Sequence, residues 1–169
     1  SAAKPKSVEN SSSVCTAVFC DGKKVDDVGQ KVDVELKYNR NQSKHDVDEF
    51  KDQAFDQGAG LSERKAGDAI DTINKTKSEG RLKESDTAVT EYKTQNPDLD
   101  YSGKNVLHKT DACAGGDPTC ITRLGDEGIN KSLGRQNKNL QDNILEDLSK
   151  VNKSSKPTVR VIFEDKVKK

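Results

Sequence analysis

Four cysteines, two histidines and one short run of oxygen ligands are the residues whose types and spacing could carry chemistry in this 169-residue chain. The cysteines are Cys15, Cys20, Cys113 and Cys120. An even count in a chain poor in apolar residues predicts disulfides formed in an oxidising compartment. A zinc site is the rival: the Cys15–Cys20 spacing would suit a metal knuckle, but the Cys113–Cys120 spacing suits one badly. On a strand Cys15 and Cys20 point to opposite faces, and on a helix they lie about 140° apart, so regular structure keeps them from pairing with each other. Two crosslinks between the 15–20 and 113–120 segments would each close a long loop, worth roughly 4–5 kcal/mol, and this long-range pairing is the one expected.

The histidines, His45 and His108, are the available general bases. No G-x-S-x-G elbow, Walker A, G-x-G-x-x-G or H-E-x-x-H motif accompanies them. Cysteine nucleophiles are not expected if all four thiols are oxidised. The chain is therefore expected not to be an enzyme, with a histidine-dependent hydrolase as a remote alternative.

Asp98-Leu-Asp100-Tyr-Ser102-Gly103 matches the opening of a calcium loop, with oxygen ligands at alternate positions and a glycine for the turn. The match then fails, because Asn105 stands where an apolar residue belongs and Lys109 where the bidentate glutamate belongs. A polar turn after Asn96-Pro97 is the simpler reading, and no cofactor and no resident metal are expected. A calcium-dependent module using the 98–103 loop remains the alternative function.

Five asparagines, Asn10, Asn41, Asn74, Asn130 and Asn152, begin N-x-[ST] sequons, which agrees with a glycosylated secreted protein as well as with chance in a Lys-, Ser- and Asn-rich chain. No methionine is present, so the chain is expected to be processed, with any signal peptide already removed.

The elements that must position these residues are thinly apolar. Hydrophobic residues make up 30% of the chain, charged ones 34% and aromatics 4%, with a mean hydropathy of −0.93, which excludes a large dry core. Lys+Arg and Asp+Glu both number 29, so no basic field advertises a nucleic-acid partner. No stretch approaches the roughly 18 apolar residues of a membrane span, and a soluble chain is expected.

Residues 1–13 are small and polar, a disordered arm or a vector-derived scar, and 14–169 is expected to form one domain. Val14–Phe19 is an apolar patch too short to classify. Lys31–Tyr38 alternates, with Val32, Val34, Leu36 and Tyr38 on one face, and Thr158–Phe163 alternates likewise. Helical spacing links Val47, Phe50, Ala54 and Phe55, ending at Gly58-Ala-Gly60. A second helix, capped by Ser62, carries Ala66, Ala69, Ile70 and Ile73 and stops near Glu79-Gly80. A third, capped by Ser85 or Asp86, carries Ala88, Val89 and Tyr92. The strongest stripe is Leu133, Leu140, Ile144, Leu148 and Val151. The expected fold is α+β: three to four modest helices on a small two-stranded antiparallel sheet formed by 31–38 and 158–163, stapled by disulfides.

Between the helices lies 97–120, bracketed by Pro97 and Pro118 and expected to be a long irregular loop of the kind that carries function. The functional expectation is an extracellular or periplasmic binding or interaction protein that is monomeric and presents this loop to a protein partner. Its contact residues would be Asp98, Asp100, Tyr101, His108 and Asp117, with Tyr101 as the anchor.

Overall fold

The computed structural model describes residues 14–166, so the 1–13 arm with its Asn10 sequon lies outside the described residues. The elements run β1 (Val14–Cys20), β2 (Lys23–Val25), β3 (Val34–Asn41), α1 (Val47–Ser62), α2 (Ala66–Glu79), α3 (Lys83–Gln95) and β4 (Lys104–His108). A 3₁₀ turn (Ala112–Ala114), β5 (Ile121–Asp126), α4 (Glu127–Ser149) and β6 (Val159–Lys166) follow. The α+β class and the four helices match the sequence expectation; the sheet does not.

The two alternating segments do pair, but in parallel, with Val34 opposite Val159 and Tyr38 opposite Phe163. The apolar patch at 14–20 forms β1 and pairs antiparallel with the other side of β6, and short β2 completes a sheet of order β2-β1-β6-β3. Alternation reveals which face of a strand is buried, not the direction of its neighbour. The helices between β3 and β6 return the chain to the starting end of the sheet, which permits the parallel arrangement. β4 and β5 form a separate two-stranded ribbon with a bulge between Val106 and His108.

One face of the sheet is apolar. Ala17, Phe19, Val34, Leu36, Tyr38, Val159, Val161 and Phe163 meet Phe50, Ala54 and Leu61 of α1 and Leu133, Ile144 and Leu148 of α4. α1 covers β1 and β6, and α4 covers β3. On α1 the core stripe runs through Gly58 and Gly60 instead of stopping there. A Cβ on Gly58 would lie 2.2 Å from Val161 Cγ2, and one on Gly60 would lie 2.2 Å from Thr110 Oγ1. These glycines allow close approach of the helix to β6 and to Thr110, and the helix ends at Ser62, whose hydroxyl accepts from the Gly22 amide. α2 ends as expected at Gly80, where φ is 76°.

None of the four cysteines is bonded to another. Cys15 and Cys20 lie at the two ends of β1. Cys113 lies in the 3₁₀ turn, which packs against α2 and α4, whereas β1 packs against α1, β2 and β6. The long-range pairing expected from the sequence is therefore not formed, and the core assembles without a staple.

Candidate functional site

The 97–120 region is more ordered than an irregular loop. β4 occupies its centre, and the stretch after it folds tightly on itself: the Gly116 amide donates to the Asp111 carbonyl, and a Cβ at Gly116 would lie 1.9 Å from the Thr110 carbonyl oxygen. The residues expected to act together are consequently spread apart. Asp98 is exposed, and Asp100 Oδ1 accepts from the Ser102 amide at 2.9 Å, closing its own turn. Tyr101 is half-buried; its hydroxyl donates to the Asn96 carbonyl at 2.6 Å, tying the turn to the end of α3. Asp117 accepts from the Thr119 amide and hydroxyl, and it lines a cleft shared with Glu63, Lys109 and Cys120. Only His108 opens into the largest cleft. Among the described residues no group of three His, Cys, Asp or Glu side chains converges on a metal-sized point.

That cleft is a groove of about 580 Å³ between α3 and β4. Leu82, Val89 and Val106 supply its apolar walls, and His108, Asp111 and Cys113 its inner end. Four cations reach it from three elements and one turn: Arg81 before α3, Lys93 on α3, Lys104 on β4 and Lys131 on α4. Asp111 is the one acid in the lining. Lys93 Nζ lies 5.6 Å from the Tyr101 ring centroid, Arg81 is held by Asp86, and Lys131 Nζ lies 3.3 Å from Glu127 Oε2, so three of these cations are oriented by neighbours outside the groove.

Beneath the inner end runs a buried amide network. Tyr38 donates to Asn137 Oδ1 at 2.5 Å, and Asn137 Nδ2 donates to Asp111 Oδ2 at 2.8 Å and to Gln57 Oε1 at 3.0 Å. Gln57 Oε1 also accepts from the Asp111 amide at 2.9 Å, and Gln141 donates to the Cys113 carbonyl at 2.9 Å. Burial raises the Asp111 carboxyl, more than its Asn137 bond and the His108 charge lower it. Burial and the neighbouring Asp111 push the Cys113 thiol up to about 12. Burial lowers the His108 imidazole despite Asp111 and the Pro118 and Ser85 carbonyls, and neither carbonyl meets Nε2 with hydrogen-bond geometry, which leaves that atom buried and unpartnered. All three groups are pushed toward their neutral forms. That is the reverse of a thiolate–imidazolium pair, and it leaves the rim cations as the groove's charge, with Arg81 and Lys131 paired to Asp86 and Glu127 outside the lining.

The second histidine, His45, stands apart in a cleft with Lys44 and Arg135, its ring stacked on Phe50 and its pKa lowered chiefly by burial. Of the sequon asparagines, Asn41 ends β3 and Asn152 follows α4, and their side-chain oxygens accept from Ser43 and Ser154. Asn74 is exposed on α2, and Asn130 lines the groove from α4.

Sequence reading missed Arg81, Lys93, Lys104 and Lys131, because no local pattern joins cations spread over 50 residues. It also missed Gln57, Asn137 and Gln141. Here a signal existed: amides occupy positions in the apolar stripes of α1 and α4 where only core residues belong. The chain matches no protein-family model and no curated protein. Among the described residues no helix is long and apolar enough to cross a membrane.

Proposed function

We propose that this chain is a binding protein rather than an enzyme, and that the groove between α3 and β4 receives an acidic segment of a protein partner. The observation that carries the reading is the ring of Arg81, Lys93, Lys104 and Lys131 around the apolar strip of Leu82, Val89 and Val106. Apolar area with convergent cations suits a segment that alternates acidic and aliphatic residues. The contact surface proposed from the sequence narrows accordingly, from the whole 97–120 loop to its 104–113 portion, and Tyr101 becomes a support for Lys93 rather than an anchor. The neutral state favoured for Cys113 and His108 supports a non-catalytic role. An extracellular location now rests on the sequons, and a periplasmic one is left without its disulfide argument, since none of the four cysteines is bonded to another.

The test is calorimetric titration of the full chain with a Glu/Leu-alternating octapeptide, against a Lys/Leu peptide as control. Lys104→Glu/Lys131→Glu is expected to weaken the acidic peptide at least tenfold while leaving the melting temperature within about two degrees of wild type. Equal heats from both peptides, or no heat from the acidic one, would reject the groove.

A further inference from the structure

Among the described residues β3 is the outer strand of its sheet, and the side away from β6 carries no other strand. The Val34 amide bonds to the Thr158 carbonyl and the Gln42 amide to the Lys166 carbonyl, which fixes the parity of the strand. In a parallel pair alternate residues turn both backbone groups to the same side, so Glu35, Lys37, Asn39 and Asn41 turn theirs outward. That row is about 20 Å long.

Side chains and the turn after β3, not a strand, occupy its Asn39–Asn41 half. Gln136 of α4 accepts from the Asn39 amide at 2.8 Å and donates to the Asn39 carbonyl at 2.9 Å, offering the donor–acceptor pair a neighbouring strand would offer. His45 Nδ1 accepts from the Asn41 amide at 3.3 Å, and the Asn41 carbonyl accepts from the Lys44 and His45 amides at 3.2 and 3.0 Å. Among the described residues no side chain meets the Lys37 backbone. Replacing Gln136 by a peptide group exchanges two hydrogen bonds for two of the same kind, so the plug can be displaced at small net cost.

Room exists on both sides of the plug. A cleft of about 390 Å³ lies between Asn39–Asn41 and the Ser132–Arg135 turn of α4, and another of about 330 Å³ lies between Glu35 and Lys37 and the Leu140–Asp147 stretch. Their charges are opposite in balance. Lys44, Arg135 and Lys166 rim the first, where no acid lines the wall; Glu35, Glu146 and Asp147 outnumber Lys37 and Lys150 in the second. Acids in the last turn of α4 oppose the helix dipole, so helix stability does not account for their position.

We infer that the outer edge of β3, beneath α4, is a strand-addition site for an extended peptide segment of a partner, acidic where it meets Lys44, Arg135 and Lys166 and basic where it meets Glu35, Glu146 and Asp147. Main-chain bonds to Lys37 and Asn39 would supply affinity, and the two charged ends would set register. A second copy of the chain fits poorly, since pairing two β3 edges would drive one α4 into the other. The site is independent of the groove between α3 and β4.

The test uses full-length ¹⁵N-labelled protein titrated with the octapeptide Glu-Glu-Val-Thr-Val-Thr-Lys-Lys and with its reversed sequence, which covers both strand directions. Saturable shifts are expected for one of them, large at the amides of Glu35, Lys37 and Asn39 and small at Leu36 and Tyr38. Gln136→Ala is expected to tighten that peptide roughly threefold to tenfold by unmasking Asn39. Lys37→Pro removes an amide that β6 does not use, so it should abolish binding with the fold retained. Absence of saturable shifts with both peptides, in wild type and in Gln136→Ala, would overturn the site. Self-association of Gln136→Ala without peptide binding would also overturn it, by making Gln136 only a guard against edge pairing.

Discussion

The Tyr38 hydroxyl of β3 and the Asn137 amide of α4 meet at 2.5 Å in the buried interior, and this bond joins the sheet to the network under the groove. Asn137 is the hub, since it also serves Gln57 and Asp111. Tyr38→Phe removes one partner and leaves Asn137 with two others, at a cost of about 1 kcal/mol. Asn137→Ala strands two buried groups, the Tyr38 hydroxyl and Asp111 Oδ2, and opens a void, so about 3 kcal/mol or more is expected. Urea unfolding of both variants checks the order; equal losses would show that Asn137 is not a hub.

Asp111 and His108 make stability depend on pH in opposite senses. Burial holds the Asp111 carboxyl above its ordinary 3.8, so the native state keeps a proton that the unfolded chain releases, and this contribution is lost as pH rises from 3.8 through the native value. Asp111→Asn should therefore raise the melting temperature at pH 7 and raise it less at pH 4. The His108 imidazole lies below its ordinary 6.5, so the unfolded chain takes up a proton first and stability falls as pH drops from 6.5. His108→Gln should flatten that fall. Thermal melts of the three proteins from pH 4 to 8 decide the matter, and a gain from Asp111→Asn that does not change with pH would contradict the burial account.

Gly58→Ala should destabilise, although alanine is favoured over glycine in a helix by about 1 kcal/mol. Its Cβ would meet Val161 Cγ2 at 2.2 Å and Phe19 at 3.2 Å, so a net cost of about 1–3 kcal/mol is expected as α1 is pushed off β6. Removing the obstructing methyl in Gly58→Ala/Val161→Ala should make the double variant more stable than the two single losses predict. Strict additivity in a double-mutant cycle would place the obstruction elsewhere.

That glycine marks where the sequence was legible and where it was not. Apolar spacing located all four helices and both strands of the β3–β6 pair, because burial on one face imposes a period that the residues must display. It could not tell a glycine that ends a helix from one that lets a helix approach a strand, since Gly58 is demanded by Val161, a residue about 100 positions away. It also did not give the direction of β6, the membership of β1, or the convergence of Arg81, Lys93, Lys104 and Lys131, all of which depend on topology. His108 was the one predicted contact residue that the structure places in the groove, and the amides at Gln57 and Asn137 were visible in the sequence as polar interruptions of apolar stripes.

The four thiols should differ in reactivity by position. With its pKa near 12, Cys113 is thiolate to about one part in ten thousand at pH 8, and Cys120 is also raised, chiefly by burial. Cys113 is therefore expected to be the last of the four alkylated, as followed by iodoacetamide labelling and peptide mass mapping. Asp111→Asn removes the second cause of the shift and should speed Cys113 without affecting Cys15 or Cys20. If Cys113 were labelled first, the inner end of the groove would have to be open and polar, and the neutral state proposed for it would fail. The same labelling without reductant, on protein from its native source, tests the compartment. Uptake of four labels matches the free thiols of the fold, whereas labelling only after reduction would require the 3₁₀ turn to leave α2 and α4 for a long-range bridge.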